Sequence, residues 1–263
     1  MFGPPMRLVR LLLLAALIVV PGCGLFSGNG DFGEPDYASE ASTNLKRGDE
    51  ALDGSQYQLA EKYYEYVKTK FPFLEASRQA ELRLADVSYE RELWSEAADR
   101  YSGFVKLHPT HAKVDYAAYR AALSHYRDIP SDWFLLPPSS EKDQTQVRAA
   151  WEALNEFVKS YPQSQYIEDA KKKQTDIRDR LVRHEVYVAD FYEKRDRLAA
   201  AASRLETVVQ KYPGPEDDKY LFRLHDLYSR LKDSNKARDA LQRVITRLPG
   251  TPAAERAQKM LGS

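Results

Sequence analysis

The chain has 263 residues, 30% of them charged, with 39 basic and 39 acidic side chains in balance. That balance leaves no electrostatic footprint for nucleic acid or an anionic membrane surface. One cysteine excludes an intramolecular disulfide, and the 12 glycines are scarce beyond residue 33, as expected of a helical body. The first recognisable element is an apolar run, residues 11–20, preceded by Arg7 and Arg10. Ten apolar residues suit the core of a signal peptide and are too few to cross a bilayer.

Pro21-Gly22-Cys23-Gly24 follows. A lone cysteine just after a small residue, at the end of such a run, resembles a bacterial lipobox. The resemblance implies cleavage after residue 22 and acylation of both the thiol and the new amine of Cys23. Several acyl chains anchor durably where one does not. Gly24, where an acidic residue would signal retention at the inner membrane, implies outer-membrane sorting. Residues 23–37, rich in glycine and polar side chains, read as a flexible tether of at most about 45 Å.

From residue 38 onward five prolines share one local frame. Twelve residues before Pro72, Pro109, Pro162, Pro213 and Pro249 stand Ala60, Ala97, Ala150, Ala201 and Ala237. Eight before stand Tyr64, Tyr101, Leu154, Leu205 and Leu241; five before stand Val67, Phe104, Phe157, Val208 and Val244. These three positions fall on one helix face, with the small residue where a second helix comes close and the proline as the stop. Leu84 with Ala85, Val188 with Ala189 and Tyr192, and Leu224 with Tyr228 supply the preceding helices, and Gly48 the close-packing position of the first. The unit resembles the tetratricopeptide (TPR) hairpin, so an all-α superhelical solenoid of about five hairpins is expected over 38–263, as N-terminal repeats 38–162 and C-terminal repeats 163–263.

The intervals between prolines are 37, 53, 51 and 36 residues, against roughly 34 for a regular array. The first excess contains Ile129-Pro130 through Pro137-Pro138 and predicts a loop inserted in repeat three. The second contains no glycine or proline between 163 and 212, which predicts one long helix from about 165 to 195 with Ser164 as its N-cap.

Catalytic and metal chemistry find little support. His108 and His111 lack a third ligand nearby and suit capping or packing. His184-Glu185 and His225-Asp226 are isolated pairs, and no His-Glu-x-x-His, phosphate loop, activated nucleophile or cofactor motif is present, so no cofactor is expected. Binding is the better reading. Trp133, Phe134, Leu135 and Leu136 place four bulky apolar side chains in the Pro-bounded loop, either folded back or offered to a partner. Tyr57, Tyr63, Tyr66, Tyr89, Tyr119 and Tyr126 fall in the N-terminal repeats, where some, with Tyr57, Tyr89 and Tyr119 the chosen three, could line a groove for an extended peptide.

His108-Pro109-Thr110-His111, Val114-Asp115-Tyr116, Tyr119-Arg120, Tyr161 to Tyr166, Asp179-Arg180-Leu181, Glu185, Val188-Ala189, Phe191-Tyr192, Arg195 and Arg204 closely resemble the BamD (ComL) lipoproteins of the outer-membrane β-barrel assembly machinery. The resemblance runs over roughly 41–213 and includes the inserted loop and the lipid cysteine. It implies an outer-membrane, periplasm-facing scaffold and substrate receptor for unfolded β-barrel proteins. It also implies docking to the machinery's channel protein through Arg204 and Arg195, where a partner carboxylate is expected, and contact with other assembly lipoproteins. A TPR adaptor of another envelope assembly, such as a pilus-secretin pilotin, is the alternative reading of the same repeats.

Overall fold

The computed structural model describes residues 35–130 and 143–262. The expectations for Cys23, Trp133 and Phe134 lie outside the described residues. The described residues from Asp36 onward form one compact unit in which every regular element is a helix: α1 (Ala41–Asp53), α2 (Tyr57–Lys70), α3 (Glu75–Glu90), α4 (Trp94–Leu107), α5 (Val114–Arg127), α6 (Thr145–Ser160), α7 (Ile167–Glu193), α8 (Leu198–Lys211), α9 (Asp217–Arg230), α10 (Ser234–Arg247) and α11 (Pro252–Gly262). Consecutive helices pack as five hairpins, from α1/α2 to α9/α10, each stacked on the next, with α11 against α10. We call the first helix of each hairpin A and the second B.

The proline frame accounts for the B helices. Phe71, His108, Tyr161, Tyr212 and Leu248, each directly before its proline, adopt nearly identical angles, φ −126° to −129° and ψ 48° to 56°. Helical geometry is disfavoured before proline, so the helix stops there. Each stopping residue still donates its N–H to the frame residue four back, Val67, Phe104, Phe157, Val208 or Val244. The five frame alanines and the five large residues four on are all buried, none more than 4% exposed.

The turns inside the hairpins are as uniform. Ser55, Glu92, Asp196 and Lys232 sit at positive φ, 56° to 61°. The next N–H in each case, from Gln56, Leu93, Arg197 and Asp233, reaches back five residues to Ala51, Ser88, Tyr192 and Tyr228. This is the Schellman closure, here made without glycine at the left-handed position. In the third hairpin α5 ends at Arg127 and α6 begins at Thr145, and the inserted loop expected between them lies largely outside the described residues.

The long helix is present as α7, with 27 residues spanning about 40 Å. Its start corrects the sequence reading. The residue before the helix is Tyr166, and no side chain caps it. Ser164 accepts the Tyr166 N–H at 3.3 Å but donates its own hydroxyl to Asp115 of α5 at 2.7 Å, so it ties two A helices together instead.

In the first hairpin Gly48 of α1 faces the buried ring of Tyr64, whose hydroxyl is fixed on Asp49 at 2.7 Å. A Cβ at 48 would lie 2.6 Å from the ring, whereas one at Gly103 of α4 would meet nothing within 4 Å. Helix propensity favours alanine over glycine by about 1 kcal/mol, and overpacking costs about 1–3 kcal/mol. Gly103→Ala is therefore expected to raise the urea midpoint and Gly48→Ala to lower it, by up to ~2 kcal/mol.

Candidate functional site

The A helices carry a repeated charge arrangement. Asp49 in α1 is met at 3.0 Å by Arg83 of α3, which also bonds Asp86 in its own helix at 3.1 Å. Asp86 in turn accepts the hydroxyls of Tyr101 at 2.5 Å and Tyr116 at 2.8 Å. Arg120 of α5 donates to the Tyr101 oxygen at 3.1 Å and to Glu90 at 3.2 Å. In the last hairpins Arg223 of α9 bonds Asp190 of α7 at 2.5 Å and Glu193 at 2.7 Å. Each arginine stands 33 or 34 residues after its aspartate: Asp49 and Arg83, Asp86 and Arg120, Asp190 and Arg223. Burial, reinforced by Asp86, pushes the Tyr101 and Tyr116 hydroxyls well above the usual tyrosine range. For Arg120 burial works against the charge, yet the facing tyrosines and Asp86 outweigh it and leave the guanidinium held more firmly charged.

Two of the three proposed groove tyrosines meet this ladder. Tyr89 lies flat under Arg120, 3.5 Å from guanidinium to ring centre, with Trp94 edge-on at 4.9 Å, and is nearly buried. Tyr119 stacks on Tyr166 at 4.7 Å and donates its hydroxyl to Asp169 of α7 at 2.5 Å. Tyr57 opens α2 and packs with Leu59 and Phe71 in a different core cluster, that of the first hairpin. The groove residues thus divide between Arg120's surroundings and the first hairpin. Tyr66 stacks on Tyr37 at 4.0 Å, with Tyr63 edge-on to the same ring.

Between the third and fourth hairpins the ladder is interrupted: Leu123 and Tyr187 occupy the places of the aspartate and arginine. A different pair is found within the fourth hairpin. Glu185 of α7 is 3% exposed and is bonded at 3.2 Å by Arg204 of α8, whose side chain remains 41% exposed. Arg204 therefore already holds a carboxylate of its own chain and offers only its outer edge to a partner. Arg195, in the turn after α7, folds over the exposed Phe191 ring at 3.6 Å and donates to the Phe191 carbonyl. Glu185 and Phe191 point about 120° apart around α7. The two arginines accordingly do not converge on one point. The sequence neighbours of Glu185 do not identify its partner, but a lone acid on the apolar face of α7, among Leu181, Val182 and Ala189, marks a group that needs one.

His108 and His111 each find a separate carboxylate of α3, Glu81 at 2.6 Å and Glu75 at 2.7 Å, and both rings pack on Phe104. Their role is to fasten the α4–α5 connection to α3. Among the described residues no group of three metal-ligating side chains is assembled. A groove of about 960 Å³ opens between α6, α7 and the α8–α9 connection, where Arg178 donates to the Tyr212 and Pro213 carbonyls at 3.2 and 2.9 Å.

The family model described as outer membrane lipoprotein, YfiO, matches residues 38–244, the whole of this array up to the last B helix. The chain belongs to the YfiO family. Its relatives include the "Outer membrane protein assembly factor BamD" of Neisseria gonorrhoeae, 30% identical over 76% of both chains. The protein of that description from Xylella fastidiosa (strain Temecula1) is 27% identical over 95% of this chain and 85% of its own. Among solved structures, the TPR2AB domain of yeast Sti1 aligns over 84% of this chain and 82% of its own, at 9% identity and a TM-score of 0.41. No described helix of this YfiO member is long and apolar enough to cross a membrane.

The Glu185–Arg204 contact carries a direct expectation. Removing one partner of a buried ion pair costs about 3–5 kcal/mol, and the partial exposure of Arg204 reduces this to roughly 2–3 kcal/mol. Arg204→Glu, which sets two carboxylates together, should lower the thermal midpoint more than Arg204→Ala. Combining Arg204→Glu with Glu185→Arg should recover part of the loss. A melt of the double variant no higher than that of Arg204→Glu would rule out the pairing.

Proposed function

We propose that this chain is an outer-membrane lipoprotein of the β-barrel assembly machinery, anchored through Cys23 and facing the periplasm. It serves there, without catalysis, as scaffold and substrate receptor. The observation that carries this reading is the family match across residues 38–244, which spans the same five-hairpin solenoid. The assembly-factor names of the relatives agree with it. Anchoring through lipid is supported by a short apolar run that ends at a lone cysteine.

In this reading the C-terminal hairpins dock the channel protein through the outer edge of Arg204 and through Arg195. Glu185 fixes the Arg204 guanidinium, which reduces the ordering needed when a partner carboxylate arrives. The N-terminal hairpins receive unfolded barrel strands. Tyr57 and Tyr119 offer partly exposed rings set on rigid helices, with Tyr89 buried beneath Arg120 as their support, suited to a chain that alternates apolar and polar side chains. Binding should be weak, because an extended peptide loses conformational entropy and a receptor must release it.

Two measurements test these assignments. Metabolic labelling with a clickable fatty acid should mark the native chain and not Cys23→Ala, which should also be lost from the membrane fraction; equal labelling of both would reject the anchor. Fluorescence anisotropy with the full chain should give micromolar-range affinity for a peptide from a barrel's last strand. Affinity should fall when the terminal aromatic of the peptide becomes alanine, and again in a Tyr119→Ala variant. Indifference to both changes would leave a scaffold alone.

A further inference from the structure

The most exposed large apolar side chains among the described residues lie together on one edge of the solenoid. Phe73 is 93% exposed, Leu107 70% and Leu74 50%. Phe73 and Leu74 lie in the connection from α2 to α3, and Leu107 ends α4. Both belong to the edge where B helices finish. The two connections touch, since His111 after α4 bonds Glu75, the first residue of α3 and the neighbour of Leu74, at 2.7 Å.

The chain also enters the folded unit at this edge. Tyr37 stacks on Tyr66, which meets Phe71 edge-on at 6.2 Å, two residues from Phe73. Arg47 of α1 holds the carbonyl of Asp36. Thirteen residues separate Cys23 from this point, so an anchored body stays within about 45 Å of the bilayer and meets it at high effective concentration.

The charge beside the apolar side chains has one dominant sign. Lys70, Lys106 and Lys113 are exposed and make no ion pair. Glu75, the acid among them, is taken up by Arg78 at 2.5 Å as well as by His111. A few bulky apolar groups ringed by cations are the chemistry of an interfacial contact: the apolar groups enter the headgroup boundary and the cations meet anionic lipid.

We propose that the edge formed by Phe73, Leu74 and Leu107, with Lys70, Lys106 and Lys113 around it, is a membrane-contact surface that rests on an anionic lipid bilayer and sets the orientation of the solenoid beneath it. The proposal rests on the anchor reading for its proximity to lipid.

Phe73→Cys in the full lipidated chain, labelled with an environment-sensitive fluorophore, tests it, because acylation of Cys23 leaves the new thiol alone to react. Glu92→Cys, in the turn at the opposite end of the second hairpin, is the control. In vesicles of phosphatidylethanolamine with a minor share of phosphatidylglycerol, the probe at 73 should shift to the blue and lose emission to a lipid-borne quencher, while the probe at 92 should do neither. Lys70→Glu with Lys106→Glu should reduce the quenching at 73. Equal behaviour at the two sites overturns the proposal, as does shielding of the 73 probe that appears only when the channel protein is added. Labelling of Cys23 in the native chain, with loss of flotation, would instead refute the anchor; the 73 probe is then read in a Cys23→Ser background on the same vesicles added from outside.

Discussion

The residue before a proline cannot comfortably continue a helix, and this fold is organised by that single backbone restriction repeated five times. Because Phe71, His108, Tyr161, Tyr212 and Leu248 stop their helices at the same angles, every departing chain leaves in the same direction. The next A helix then returns onto the buried alanine face of the hairpin before it. The B helices keep almost one length, 14 residues in four hairpins and 16 in α6. The additional length of the array falls in the α5–α6 connection and in α7, outside the stretch between frame alanine and proline. Insertions there lengthen the array without altering the stacking unit.

Packing alone fixes where neighbouring A helices lie, and the acid–arginine pairs add a second, directional tie between them. Asp49 and Asp190 bond an arginine of the following repeat directly, and Asp86 reaches Arg120 through the Tyr101 hydroxyl. At the third-to-fourth junction the tie is made differently, by the Tyr119 hydroxyl on Asp169 and the Ser164 hydroxyl on Asp115, while Glu185 and Arg204 join the two helices of the fourth hairpin itself. The fourth hairpin also carries the side chains assigned to docking. An arginine that stabilises the hairpin and faces outward at once couples the integrity of α7 and α8 to the shape of the surface they present.

Much of this architecture could be read from residue order. The alanine, the large residue and the proline identify the B helices because all three follow from one local requirement, and α7 was legible because nothing between 163 and 212 breaks a helix. The ladder escaped notice because its pairs are 33 or 34 residues apart, a spacing that means something only once the repeat is known. Ser164 was misread for a related reason: its position suggests a cap, but its hydroxyl answers to Asp115, 49 residues away in sequence and 2.7 Å away in space. Burial of a tyrosine depends on the helix opposite it. Tyr64 and Tyr101, inside the frame, were fixed as core, whereas Tyr89 under Arg120 and Tyr119 against Asp169 owe their surroundings to the next hairpin.

The apolar core is not continuous along the array. Helices α1 to α3 enclose one small cluster and α3 to α5 another, on opposite faces of α3, while the cluster beginning at Ala122 runs unbroken to Ala257. In a nearest-neighbour solenoid, local opening costs only the interfaces it breaks. The amino-terminal hairpins should therefore breathe more readily than the carboxy-terminal block, exchanging their amide protons sooner and at lower denaturant. A solid end that keeps its shape and a pliant end that yields would divide one chain into a mount and a hand.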